Sequence, residues 1–184
     1  MPKPLAGSGS VGRVHPPATE ISIRQPIEAD YPRIQAALRD WWPDQLGGTG
    51  ATERALLVPR LFLQHFTEGS LFAEQGDEVR GFLIGFLSAT KIDEGYIHFV
   101  GVNPAARGTG LARELYGRFF EYCRAAGRTS VRAVTSPGND VSYAFHTALG
   151  FAAEPGEREF DGRPVQPDYD GPGLDRVSFV KVLN

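Results

Sequence analysis

The stretch from Gly101 to Ala112, GVNPAARGTGLA, constrains this chain more than any other. It follows the strand-like run Tyr96 to Val100 and opens the helix-like run Leu111 to Ala126, so its glycines fall where a strand turns directly into a helix. A helix start leaves up to four backbone N–H groups without partners and carries roughly half a positive charge, which suits a phosphate or pyrophosphate. Gly108 and Gly110 have no Cβ, so a bulky anion can approach the backbone closely. A tight turn with two convenient glycines is the alternative, because G-x-G alone is not specific.

Around that junction the pattern alternates strands and helices. Ile21 to Arg24 reads as a first strand, ended by Gln25-Pro26. Asp30 is placed to cap a helix that carries Pro32 in its first turn and Ile34, Leu38 and Trp41 at helical spacing. A Gly-rich linker, Leu46 to Gly50, precedes a second helical pattern from Thr52 to Phe66, which Pro59 kinks or breaks in two. Ser70 to Gln75 and Val79 to Ala89 read as an antiparallel hairpin turning at Gly76-Asp77-Glu78. In the helix after the glycine loop, Leu111, Leu115, Phe119, Tyr122 and Ala126 form the apolar face, Glu114 and Arg118 pair on the other, and Gly127 ends it. Ser130 to Thr135 alternates like a strand, and a shorter helix starts at Asn139. Two last strands, Phe151 to Phe160 and Asp175 to Leu183, flank a loop from Asp161 to Leu174.

This order predicts a mixed α/β domain over residues 21–184 with one central sheet, preceded by a flexible tail over 1–20 that is rich in Pro and Gly. The chain has 184 residues, 41% hydrophobic, enough for one substantial core. Its formal net charge of −3 offers no basic footprint for nucleic acid or an anionic membrane. Cys123 is the only cysteine, which excludes an internal disulfide and a cysteine metal cluster. No apolar run reaches the roughly 18 residues that span a bilayer. A soluble cytoplasmic protein, monomer or homodimer, is the expectation.

Fold order alone decides no function. The run Val102-x-Pro104-x-x-Arg107-Gly108-x-Gly110-Leu111-Ala112, however, closely resembles the coenzyme A motif of the GNAT N-acetyltransferase superfamily. Asn139-x-x-Ser142-x-x-Phe145-His146-x-x-Leu149-Gly150-Phe151 resembles that family's second signature. The resemblance covers nearly everything after the tail. It implies an α+β domain whose mostly antiparallel mixed sheet of six or seven strands splays between the fourth and fifth, with about four helices around it. It further implies acetyl-CoA as acyl donor, with no metal, and direct attack by a primary amine in a ternary complex. The amides from Arg107 through Gly108, Thr109, Gly110 and Leu111 to Ala112 would hold the pyrophosphate, as the helix-start argument also says. Val100, Gly101 and Val102 would bind the pantetheine arm in the gap before Ser130 to Thr135, while Asn139, Ser142 and Phe145 would meet the cofactor from the next helix. Two positions depart from the family pattern. Ala105 stands where Arg or Gln is usual, and His146 where many members place a tyrosine that protonates the departing thiolate.

An alkylammonium with a pKa near 10 must lose a proton before it attacks, so the site needs a base. Strict alternation puts Tyr96, His98, Val100 and Val102 on one face of their strand. His98, with a reference pKa of about 6.5, is the first candidate for the base, the alternative being a histidine hydrogen-bonded within the sheet. Tyr96 is a candidate to position the acceptor or bridge to His98 through water, and His146 to protonate the sulfur or simply to pack its helix. A backbone N–H near Val100 to Val102 would steady the oxyanion, as family geometry implies. For the acceptor, Trp41, Trp42 and Tyr169 are candidates to bracket an apolar portion, with Asp168 or Asp170 receiving the cationic amine; core packing and turn chemistry are the respective alternatives.

The leading expectation is therefore transfer of an acetyl group to a small-molecule amine. An acyl-CoA-binding module without efficient transfer and a protein or peptide N-acetyltransferase are the alternatives. A dinucleotide oxidoreductase fits poorly, since Arg113 occupies the third glycine position of that fingerprint and Arg128-Thr129-Ser130 stands where its ribose-binding acid belongs. A P-loop NTPase is excluded because no G-K-[ST] follows the glycines.

Overall fold

A computed structural model describes residues 20–42 and 54–184. The proposed tail and the Leu46 to Gly50 linker fall outside them, apart from Glu20. Strands β1 (Ser22–Arg24), β2 (Leu71–Gln75), β3 (Glu78–Leu87), β4 (Glu94–Val102), β5 (Ser130–Thr135), β6 (Ala152–Ala153) and β9 (Val177–Val182) form a seven-stranded sheet in the order β1-β2-β3-β4-β5-β9-β6. A separate hairpin, β7 (Arg158–Phe160) with β8 (Arg163–Val165), lies in the connection between β6 and β9. Helices α1 (Tyr31–Asp40), α2 (Leu61–His65), α3 (Leu111–Ala125) and α4 (Asp140–Ala148) complete the described secondary structure, together with a helical turn at 54–56 and two 3-10 turns. Every named strand pair is antiparallel except β4 with β5, which α3 connects as a crossover.

The sheet has a core on each face. One gathers Leu83, Ile97 and Val131 against Leu111, Leu115 and Phe119 of α3. The other gathers Phe72, Phe82 and Ile84 against Ile34, Leu38 and Trp41 of α1 and Leu63 of α2. The buried stripe of α3 runs through Tyr116, Phe120 and Cys123 rather than through Ala126, which is exposed. Gly127, at φ +72°, ends this helix as expected.

Two local expectations need correction. Asp30 occupies the position before α1 but makes no side-chain cap; it is buried, accepts from the Ile27 amide at 2.9 Å and pairs with Arg24 at 2.7 Å. Arg24 and Arg33 both reach Glu74 as well, and this four-charge cluster ties the start of α1 to the β1–β2 edge. The long strand expected over Phe151 to Phe160 is broken at Pro155-Gly156. A Cβ at Gly156 would lie 2.4 Å from the Val165 backbone, so only glycine lets the chain fold back onto β8, a strand inside what reads as loop.

Candidate active site

The sequence makes the start of α3 open. Gly108 and Gly110 have φ +78° and +92°, conformations that L side chains rarely adopt, and a Cβ at either would point into empty space. Gly110 is the cap residue and has no side chain to cap with. Among the described residues no protein acceptor meets the amides of Gly108, Thr109, Gly110, Leu111 or Ala112. The Thr109 hydroxyl donates to the Ala106 carbonyl at 2.7 Å, and Arg107 Nη2 to the Trp41 carbonyl at 3.2 Å, so the loop is held without using those amides. A row of fixed, unpaired N–H groups at the end of a 15-residue helix fits a pyrophosphate.

Strand β4 supplies the second part. Its parallel ladder with β5 runs only from Glu94↔Ser130 to Ile97↔Ala133, so the β5-facing edge from His98 to Val102 has no strand partner among the described residues. On the other side its pairing with β3 shifts by one residue between Ile84↔Phe99 and Gly85↔Ile97, leaving His98 as the extra residue of a β-bulge. This overturns the expected alternation. Tyr96 and His98 face the α1 and α2 side, where Tyr96 meets Phe86 at a tilt and His98 stacks on Phe62, whereas Val100 and Val102 pack into the α3 core. Gly101 is needed for close packing, since a Cβ there would sit 2.8 Å from Phe82 and 3.2 Å from Trp41.

The bulge orients His98. Its ring lies 4.4 Å from that of Phe62, and Nε2 is 2.5 Å from the Leu57 carbonyl oxygen. A carbonyl only accepts, so Nε2 carries a proton and a neutral ring keeps its lone pair on Nδ1. Tyr96 lies nearer the paired end, and burial first, then the neighbouring Tyr169 and Asp170, raise its phenol well above the ordinary value near 10. It stays protonated at neutral pH and acts as a hydroxyl, not as a base.

The second motif is built differently. Asn139 caps α4 through its own side chain, accepting the Ser142 amide at 3.1 Å. Phe145 is half-buried and meets Tyr116 edge-on. His146 is buried, stacked on Phe179 with ring centroids 4.8 Å apart. Its Nδ1 donates to the Ser142 carbonyl at 2.8 Å, so Nε2 accepts from the Tyr116 hydroxyl at 3.1 Å. Burial lowers its basicity, offset only in part by the Ser142 carbonyl. His146 is thus a core histidine with both nitrogens engaged.

On the α1 and α2 side of the sheet an open cleft of about 530 Å³ is lined by Phe86 and Tyr96 on its floor, Arg132 and Glu154 behind, and Tyr169 at the rim. The structure thus brings Tyr96 and Tyr169 together. It does not bring in Trp41, which is 7% exposed and packs on Phe82, nor Trp42, which is edge-on to Phe99. Asp168 accepts from the Gly173 amide at φ +51°, which is turn chemistry, and Asp170 is already paired with Arg176 at 2.7 Å. Sequence reasoning missed Arg132, Glu94 and Glu154. Arg132 Nε donates to Glu94 at 2.8 Å and Nη1 to Glu154, which also accepts from Ser178 at 2.6 Å. A charged residue amid the alternating SVRAVT strand was the one signal available.

The sequence profile of the acetyltransferase (GNAT) family matches residues 34–151, and the chain belongs to that family. Among its relatives, the mycothiol acetyltransferase of Gordonia bronchialis is 31% identical over 126 residues, which cover 67% of this chain but 40% of that protein. The L-2,4-diaminobutyric acid acetyltransferase of Shouchella clausii is 29% identical over 89 residues, 48% of this chain and 50% of that one. The chain therefore spans half or less of the length of these relatives. Of solved structures, yncA from Salmonella typhimurium, with its cofactor acetyl-CoA, superposes with a TM-score of 0.60 at 21% identity, covering 89% of this chain and 94% of its own. Ard1 from Thermoplasma volcanium gives 0.65 at 18% identity, with 89% and 98% covered. These likenesses show the fold.

Proposed function

We propose that the protein transfers an acetyl group from acetyl-CoA to a primary amine of a small molecule, by direct attack in a ternary complex. The observation that carries this reading is the row of unpaired amides at the start of α3 beside the unzipped edge of β4. Acetyl-CoA supplies the activated thioester. The amides from Gly108 to Ala112 hold its pyrophosphate, and the free edge from His98 to Val102 takes the pantetheine arm and offers N–H groups toward the developing oxyanion. The amine arrives through the cleft floored by Phe86 and Tyr96. His98 Nδ1 takes its proton, directly or through water, while Nε2–H remains fixed on Leu57. The amine lone pair then forms the N–C bond to the thioester carbonyl, and collapse of the tetrahedral adduct breaks the C–S bond, the second amine proton passing through water to the departing CoA thiolate. Relatives named for small amine-bearing acceptors support this class of substrate.

The first test is calorimetric titration with acetyl-CoA, followed by CoA release with a panel of amines. Micromolar binding that is lost in Gly108→Glu, with CoA release on adding an amine, is the expected result; absence of binding in the unaltered protein overturns the assignment. One observation favours a second reading, an acyl-CoA-binding module with little transfer. His146 is buried with both ring nitrogens engaged, which supports a site without a ready acid for the leaving thiolate at that position. Binding without CoA release across the panel would select that reading.

A further inference from the structure

The acceptor cleft has a far end that the transfer chemistry does not use. Tyr96 and His98 project to the same side of β4 two residues apart, about 7 Å, and Arg132 pairs across from Tyr96, so the Arg132 side of the cleft lies a short molecule's length from the proposed base. Four charged side chains line it: Lys91, Glu94, Arg132 and Glu154. They are already bonded to one another, Arg132 to both carboxylates and Lys91 Nζ to Glu94 at 3.8 Å, and their formal charges cancel. Around them stand the neutral hydrogen-bonding groups of Ser88, Thr90, Gln166 and Ser178, with the Tyr96 and Tyr169 rings beside them.

Such a surface discriminates by chemistry. A second ammonium on the acceptor would have to displace Arg132 or Lys91 from its carboxylate, and an acceptor carboxylate would face Glu94 and Glu154. An alkyl tail would leave the array without water and without partners, which costs the full desolvation of each group. Hydroxyl groups avoid all three penalties, because each both donates to a carboxylate and accepts from a guanidinium or ammonium. Resting on the transferase reading above, we propose that the acceptor is a polyhydroxylated amine, an amino sugar or amino cyclitol, whose hydroxyls are read by the Glu94–Arg132–Glu154–Lys91 array while Tyr96 and Tyr169 pack its ring.

The test compares CoA release by the full chain with glucosamine, cyclohexylamine, putrescine and 2,4-diaminobutyrate at equal concentration. Glucosamine should have the highest kcat/KM. Glu154→Gln, which keeps the shape of the array, should raise the KM for glucosamine about tenfold more than that for cyclohexylamine, the value of one charge-assisted hydrogen bond, with acetyl-CoA affinity by calorimetry as its control. Preference for putrescine, cyclohexylamine or the amino acid overturns this inference and leaves the transferase reading standing. Equal losses for all amines in Glu154→Gln make the array a structural brace and overturn it too. Acetyl-CoA binding with no release from any of the four overturns both readings.

Discussion

At the start of α3 the cap position is Gly110 in a left-handed conformation, and the amides behind it have no partner among the described residues; at the start of α4 the cap is Asn139, whose side chain takes the Ser142 amide at 3.1 Å. The histidines associated with the two motifs differ in the same way. His98 sits on a bulge with one nitrogen fixed by Leu57, whereas His146 has both nitrogens satisfied inside the core. A helix start closed by its own side chain is a structural joint. One left open at two glycines can take a ligand, as the transferase reading proposes, and the cost of leaving those amides bare in water is small because water still reaches them.

The contrast breaks most easily at Gly108. Gly108→Glu should weaken acetyl-CoA binding on the order of 100-fold or more, about 3 kcal/mol, because a carboxylate then competes for the open amides. Gly108→Ala carries similar backbone strain without the charge and should largely retain binding; equal losses in calorimetry would mean that conformation, not anion capture, matters there. Next, His98→Ala should lower kcat by roughly 10²- to 10⁴-fold, the usual worth of a general base, with little change in acetyl-CoA affinity, as steady-state kinetics beside calorimetry would read. In the closed motif, His146→Ala should cost about 2–4 kcal/mol of stability in urea titration, because it opens a cavity and strands the Tyr116 hydroxyl. Asn139→Ala should cost about 1 kcal/mol for the lost cap, and a much larger loss of cofactor affinity than of stability would give Asn139 a ligand role as well.

The smallest effect concerns pH. His146 is less basic folded than unfolded, so the unfolded state binds the extra proton. Its contribution to stability is fully present above its unfolded pKa of about 6.5 and is lost as pH falls from there through the lowered folded value. Denaturant midpoints measured from pH 7 to 5 should therefore decline, and His146→Leu should flatten that limb. The carboxylates of Asp30, Glu74 and Glu154, all held below their ordinary values, give up their share only at lower pH.

The glycine loop, α3, the β2–β3 hairpin and the helix capped by Asn139 were legible in the sequence because each is set by local chemistry: turn residues, a 3.6-residue period, an oxygen at a cap. The facing of His98 was not, because a bulge is a property of the register between β3 and β4 and leaves no mark on β4 alone. The fate of Trp41 and Trp42 was equally hidden, since α1 presents both near its end and only the sheet beneath decides which is covered. Strand β8 was masked by a run of Pro, Gly and Asp that reads as loop, though Arg163-Pro164-Val165 pairs with Arg158–Phe160 at an edge where Pro is tolerated.

The bulge at His98 makes β4 two short strands joined by a phase slip. Positions before it, Glu94 and Tyr96, line the cleft; positions after it, Val100 and Val102, pack against the α3 core. The cleft lining and the scaffold thus draw on separate sets of side chains in one nine-residue segment. Under the transferase reading, a combinatorial library at Glu94 and Tyr96 varies the lining of the cleft and leaves the base and the helix that presents the open amides in place.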